Sequence, residues 1–330
     1  MPRQIFSMKL AVTGALGHIG SRLIRELPLL IPNASIVMID DLSTQRYCSL
    51  FNLPPQASYT FIQGDLLKLD LKSLFCDINV VIHLAAITNA TKSFDNQEEV
   101  EHVNFMTSLN VAEACITTNT KMFLISSTSV YGTQKKKVDE NCSPDELKPQ
   151  SPYAATKLKE EGMVQQKVAE EGLRGVILRL GTIFGTSPGM RFHTAINKFC
   201  WQAVMGIPVT IWESAYNQKR PYLDLTDAIR CITFFLERDL FDGLVYNVAT
   251  LNATVEEVVN SIKVFVPTLE IEFVNSKIMN QLSYEVLNTR LEEKNFTFQG
   301  DLKQGIRNTI ALLKESSPHK SKILDSQQLN

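Results

Sequence analysis

Two side chains four residues apart carry the most chemistry in this chain, Tyr153 and Lys157 in the run YAATK. On a helix they share a face. A phenol in water ionises only near about pH 10. A neighbouring ammonium favours the phenolate, and such a phenolate accepts a proton from a hydroxyl while hydride leaves the same carbon. Upstream, the apolar run 122–126 empties into Ser126, Ser127, Thr128 and Ser129. Ser127 or Thr128 would hydrogen-bond the reacting oxygen. A Tyr-x-x-x-Lys pair alone is usually an ordinary surface pair, so its weight depends on the elements around it.

A departing hydride needs an acceptor, and residues 9–20 (KLAVTGALGHIG) supply a place for one. Leu10, Ala11 and Val12 read as a buried strand. Gly14, Gly17 and Gly20 follow at intervals of three, and Ile19, Leu23, Ile24 and Leu27 then mark one stripe of a helix, with Pro28 near its end. A strand, a glycine turn and a helix N-terminus make a cradle for a pyrophosphate. A second strand, 35–39, ends in Asp40, twenty residues after Gly20. There an acid accepts hydrogen bonds from an adenosine ribose and repels a 2′-phosphate, which predicts NAD rather than NADP. Arg46, close by, keeps NADP open. The positive nicotinamide ring of NAD⁺ would further favour the Tyr153 phenolate.

Further candidate strands at 59–63, 80–84, 122–126 and 176–180 alternate with helices at 66–75, 95–119 and 152–172. That alternation predicts an α/β fold, a doubly wound parallel (Rossmann) sheet with right-handed crossovers. After Gly185 the rhythm changes. Helices are expected at 192–205, 226–237, 254–265 and 301–314, with strands at 209–212, 244–248 and 271–274. The expected organisation is an N-terminal extension (1–7), an NAD-binding domain (8–185, to which 220–250 returns), a smaller C-terminal α/β substrate-binding lobe (186–219 and 251–314) and a polar, disordered tail (315–330). Hydrophobic residues at 44% and charged ones at 21% suit a soluble globular protein. A net charge of −2, with no basic run beyond 135–137, gives no support for nucleic-acid or anionic-membrane binding. No apolar stretch approaches the ~20 residues of a membrane span, and residues 1–7 lack a secretory core. Six scattered cysteines without a C-x-x-C pair argue against disulfides or a metal site and for a reducing, cytoplasmic setting.

Taken together, TGALGHIG, IDDLS at 39–43, GDL at 64–66, HLAA at 83–86, SSTSVYG at 126–132, YAATK at 153–157, LRLGTIFG at 178–185, RPYLDLTDA at 220–228 and VYNVA at 245–249 resemble the extended short-chain dehydrogenase/reductase superfamily. Within it, the chain is similar to the NAD-dependent nucleotide-sugar epimerase/dehydratase family, of the UDP-glucose 4-epimerase kind. The resemblance covers about residues 8–314. It implies Tyr153 as base, Lys157 as its partner and Ser127 as the hydroxyl that orients the substrate. Cofactor contacts are expected at Gly14, Gly17, His18, Ile19, Gly20, Asp40, Asp41, Asp65, Leu66, Leu84, Ala85, Ala86 and Asn104, besides Tyr153 and Lys157. Substrate contacts are expected at Thr128, Thr182, Arg191, Asn197 and Arg220, with Arg220 gripping a diphosphate. The segment 187–197 departs from the common pattern, so Arg191 and Asn197, with His193 and the following Lys198 as further candidates, would be contacts peculiar to this chain. Thr182 also replaces a frequent asparagine. Thr128 and Ser129 stand where 4,6-dehydratases carry an Asp-Glu pair for eliminating water, which ranks dehydration low. The implied activity is epimerisation of a nucleotide-diphosphate sugar through transient oxidation at C4, by a homodimer built on helices 95–119 and 152–172. The alternatives are a nucleotide-sugar reductase or dehydrogenase that releases NAD(P)H, and a non-catalytic NAD-binding regulator.

Overall fold

A computed structural model describes residues 8–88, 94–132, 135–275 and 283–324. The expected 1–7 extension and the last residues of the expected tail, 325–330, lie outside them. In chain order the elements are β1 (Lys9–Thr13), α1 (His18–Leu30), β2 (Ser35–Asp40), β3 (Ser58–Gln63), α2 (Leu71–Phe75), β4 (Val80–His83), α3 (Gln97–Thr118), β5 (Lys121–Ser127), β6 (Lys137–Val138), α4 (Pro152–Glu171), β7 (Gly175–Leu180), β8 (Thr182–Phe184), α5 (Ala195–Met205), β9 (Val209–Trp212), β10 (Lys219–Asp224), α6 (Leu225–Arg238), β11 (Val245–Val248), β12 (Leu251–Thr254), α7 (Val255–Lys263), β13 (Ile271–Val274), β14 (Glu285–Val286), α8 (Thr289–Glu293) and α9 (Leu302–Lys314). Seven strands form one parallel sheet in the order β11-β7-β5-β4-β1-β2-β3. The order reverses between β1 and β4, and ligands bind in the crevice beyond the strand ends at such a switch point.

Alternate residues of each strand feed two cores, because successive side chains point to opposite faces. Leu10, Val12, Ile36, Met38, Val80, Ile82 and Phe123 pack with α1 and α6. Ala11, Val37, Ile39, Val81, Met122 and Leu124 pack with α2, α3 and α4 on the other face. This two-sided burial explains why the strands read as continuous apolar runs. Pro28 sits inside α1 without a break. It has no N–H for the Ile24 carbonyl four residues earlier, and the Tyr59 hydroxyl donates to that carbonyl instead, at 2.9 Å.

Beyond Gly181 the chain leaves the large sheet. β8 pairs with β10, which pairs antiparallel with β12. β8, β10 and β12 are short and mixed in polarity, and the sequence pattern does not predict them. A third core, centred on Phe184, Phe199, Val204, Ile211, Tyr222, Val258 and Ile262, joins α5, α7 and α9 to these strands. The helix expected over 66–75 begins only at Leu71, where Asp70 accepts from the Ser73 N–H. The helix expected over 192–205 begins at Ala195. Within 315–324, expected in the disordered tail, the Ser317 hydroxyl donates to the Val204 carbonyl, Ile323 is buried and the Leu324 N–H donates to the Phe265 carbonyl at 2.9 Å.

If Tyr59 supplies the hydrogen bond that Pro28 removes, Tyr59→Phe is expected to destabilise the protein by about 1 kcal/mol. A lower urea midpoint with an unchanged slope is the expected result; an unchanged midpoint contradicts the role.

Candidate active site

Beyond the switch point lies a cavity of about 850 Å³ that runs from the glycine turn to Ser127, Tyr153 and Lys157. At its first end β1 turns into α1. Gly14 holds φ +64°, and a Cβ there would sit 2.7 Å from the Ala85 backbone nitrogen. Only glycine tolerates both that conformation and that approach. Gly17 caps α1 with no side-chain hydrogen bond, so the first helical N–H groups face the cavity ready for phosphate oxygens. Asp40 at the end of β2 accepts from the Leu16 and Leu42 N–H groups, at 3.0 Å each. Burial pushes its carboxyl up, and those two donors oppose it. Asp65 accepts from the Leu67 N–H at 3.0 Å, which with Lys68 holds its carboxyl below the usual range. A cradle that a Cβ would fill, open helix N–H groups and an acid at the second strand fit a dinucleotide.

The loop after β8 packs against this end. The His18 Nε2–H donates to the Gly185 carbonyl at 2.8 Å, Ser187 Oγ donates to the His18 carbonyl at 2.8 Å, and the Gly189 N–H donates to Ser21 Oγ at 2.9 Å. A Cβ at Gly189 would lie 2.1 Å from the Leu16 carbonyl oxygen. Burial lowers His18 to about 4, so the ring is neutral at pH 7. The same loop delivers Arg191 and His193 to the cavity. Arg191 reaches Thr88 Oγ1. Burial, reinforced by Arg46, lowers its guanidinium to about 10, and its buried Nε lacks a hydrogen-bond partner among the described residues.

The reacting end is set by α4. Ser151 caps the helix by accepting from the Ala154 N–H at 3.2 Å, Pro152 starts it, and Gly172 ends it at φ +77°. Tyr153 and Lys157 therefore occupy its first two turns and line the cavity opposite Ser127. Ser127 Oγ accepts from Ser129 Oγ at 2.8 Å and from the Ser129 N–H at 3.1 Å, which leaves its own proton to donate. Two consecutive acids of α4 each hold a buried cation: Glu160 pairs with Lys157 at 2.9 Å, and Glu161 pairs with Arg179 of β7 at 2.6 Å. Burial pushes the Tyr153 phenol up; Lys157 and Arg191 pull it down, and Glu160 adds to the rise. Burial therefore outweighs the ammonium here.

Of the residues expected from sequence, Ser127, Tyr153, Lys157, Gly14, Gly17, His18, Ile19, Gly20, Asp40, Asp41, Asp65, Leu66, Leu84, Ala85, Ala86, Thr182 and Arg191 line this one cavity. Four do not. Thr128 turns inward and donates to the Leu180 carbonyl at 3.3 Å, because residues 128–130 form a 3-10 turn that ends the strand alternation. Ser129 takes the lining place instead. Asn104 braces the wall from behind, donating to the Ile87 carbonyl and accepting from its N–H. Asn197 is fully buried and accepts from the Gly185 N–H, which fixes the loop that carries Arg191. Arg220, on β10, is not among the lining residues; its guanidinium donates to the Lys219 carbonyl at 3.0 Å and to Gln218 Oε1 at 2.5 Å. Ser43, Thr44, Thr88 and Thr107 also line the cavity. Small hydroxyl residues in loops and mid-helix carry no sequence signal that singles them out.

Gly14→Ala forces an L-residue into a left-handed turn against the backbone of Ala85. We expect at least a tenfold loss of NAD affinity, about 1.4 kcal/mol or more, measured by calorimetry. Wild-type affinity in this variant contradicts the cradle.

The profile of the NAD dependent epimerase/dehydratase family matches residues 10–249. An uncharacterised UDP-glucose epimerase of Bacillus subtilis, YtcB, is 35% identical over 250 residues, covering 73% of this chain and 76% of its own. The dTDP-D-glucose 4,6-dehydratase of Homo sapiens is 28% identical, covering 94% and 91%. Among solved structures, a variant of the UDP-glucuronic acid 4-epimerase from Bacillus cereus, in complex with UDP-4-deoxy-4-fluoro-glucuronic acid and NAD, superposes with a TM-score of 0.82 at 27% identity, covering 94% of this chain and all of that one. Among the described residues no helix is long and apolar enough to cross a membrane. With the family profile matching most of its length, and a cradle that fits the dinucleotide, this chain belongs to the NAD-dependent epimerase/dehydratase family and is an NAD-dependent enzyme.

Proposed function

We propose that this enzyme epimerises a nucleotide-diphosphate sugar at C4. One observation favours that reading over dehydration. The carboxylates lining the cavity, Asp40, Asp41 and Asp65, all lie at the glycine-turn end. Beside Tyr153 and Lys157 the lining is Ser127 and Ser129. Elimination of water needs a general acid and a base of its own, and this end supplies hydroxyls where a dehydratase carries two acids. Bound NAD⁺ would supply the hydride acceptor. Tyr153 Oη takes the C4 hydroxyl proton as the hydride leaves, and Ser127 Oγ donates to the oxygen that becomes the carbonyl. Lys157 keeps positive charge beside the phenol. After the keto-sugar presents its opposite face, Tyr153 returns the proton to the same oxygen as hydride returns to the carbon. Protons and hydride balance over the cycle, so no net redox change results.

Thr182, Arg191 and Ser129 would hold the sugar. The Arg191 Nε–H, buried without a partner among the described residues, suits an oxygen-rich group on the substrate. Phe105, Met106 and Leu109 of α3 remain partly exposed, which supports a homodimer through α3 and α4. A monomer by light scattering contradicts that assembly.

Incubation with UDP-, GDP-, CDP- and dTDP-sugars tests the reading. Isomerisation of at least one sugar without net change in NADH absorbance is expected. NADH formed or consumed in step with substrate overturns it in favour of a dehydrogenase or reductase. Tyr153→Phe is expected to lower kcat by a factor of about 10² to 10⁴ while NAD remains bound. A variant with undiminished turnover contradicts the role of Tyr153.

A further inference from the structure

Lys157 is buried, and so is Glu160, whose carboxylate holds it. Glu160 Oε2 accepts from Lys157 Nζ at 2.9 Å and from Ser108 Oγ of α3 at 2.7 Å, while its Oε1 is buried without a partner among the described residues. Ser108 in turn lies 3.1 Å from His83 Nε2, and His83 Nδ1 lies 2.8 Å from Thr13 Oγ1. Thr13 Oγ1 accepts from the Ala85 N–H at 3.3 Å. The protons along this chain have one consistent order. Burial, with Lys157 nearby, lowers His83 to about 3, so the ring is neutral and carries one N–H. The Ser108 hydroxyl proton is committed to Glu160, so His83 Nε2–H donates to Ser108 and Nδ1 accepts from Thr13. Every donor then points along one line, from the backbone at the switch point to the Glu160 carboxylate.

Resting on the reading above, we propose that Glu160 is a positioning residue for the reaction: its carboxylate anchors the Lys157 ammonium and, through Ser108, His83 and Thr13, ties it to the backbone that faces the cofactor. A buried ion pair is seldom more stabilising than apolar residues of the same size, and an unpaired buried oxygen adds to its cost. Stability alone therefore does not account for the acid. Its charge has a chemical consequence. It opposes the field of Lys157 at Tyr153, so it raises the pH at which the phenolate forms and keeps Lys157 charged well above neutrality. The other titratable groups bearing on the pair are Glu161, paired with Arg179 of β7, Arg191 from the loop after β8, and His83 of β4, which is neutral.

Glu160→Gln keeps the shape and removes the charge. The acid limb of its kcat profile, which follows the Tyr153 phenol, is expected to move down by about one pH unit, and the alkaline limb, which follows Lys157, is expected to move down with it. Glu160→Asp retains the charge and should restore most of the wild-type profile. A Glu160→Gln profile of unchanged shape, merely scaled in height, overturns the proposal. A thermal-unfolding cycle needs no turnover and covers the case in which Glu160→Gln folds poorly. Lys157→Met leaves Glu160 buried and unpaired, so adding Glu160→Gln to it should raise Tm rather than lower it further. A double variant whose Tm falls by the sum of the two single losses contradicts the anchoring. Failure of the wild type to isomerise any sugar defeats the functional reading and leaves the thermal cycle to decide the pairing.

Discussion

The site depends on one close approach, that of Gly14 to the backbone of Ala85 across the β1–β4 switch point. A Cβ at 14 would lie 2.7 Å from the Ala85 nitrogen, so the two strand ends meet only because position 14 is bare. That approach opens the crevice beyond the strands, turns the α1 N-terminus into it, and places Ala85 within reach of Thr13 Oγ1 at 3.3 Å. From there a line of buried hydrogen bonds runs through β4 and α3 to α4. The dinucleotide end and the reacting end are thus parts of one packed unit.

The charge arrangement follows the same plan. Glu160 and Glu161 are adjacent on α4, yet each neutralises a different buried cation, Lys157 toward the cavity and Arg179 toward the sheet. Arg179 also donates to the Tyr131 hydroxyl at 2.9 Å, which donates to Asn247 at 2.9 Å. With Ser126 of β5, whose hydroxyl donates to Glu161 at 2.5 Å, this second network secures α4 to β5, β7 and β11. A rigid α4 matters for the proposed reaction because Tyr153 and Lys157 both ride on it, and misplacement of a general base by about 1 Å costs orders of magnitude in rate.

Much of this was legible in the sequence because its signals are local. The turn after Leu10–Val12, the acid at Asp40 and the Tyr153–Lys157 spacing each depend on a few neighbouring residues, and the parallel strands announce themselves through two-sided burial. What the sequence hid depends on distant partners. β10 and β12 are polar enough to pass for loop, and they exist through pairing with each other. Arg220 is outside the cavity lining, and its guanidinium donates to the Lys219 carbonyl and Gln218 Oε1, contacts that no local pattern announces. Thr128 and Ser129 exchange places because a 3-10 turn follows Ser127. Nothing in the local sequence singles out Glu160; only the fold brings Ser108, and through it His83, to its carboxylate.

The proposed C4 epimerisation requires both ends of the cavity to act on one substrate molecule without releasing the hydride, and isotope tracing tests that directly. A sugar nucleotide that the enzyme turns over, deuterated at C4, should give an isomerised product that keeps its deuterium at C4, even with excess unlabelled NADH in solution. Deuterium lost to water, or diluted by hydrogen from the added NADH, contradicts the account.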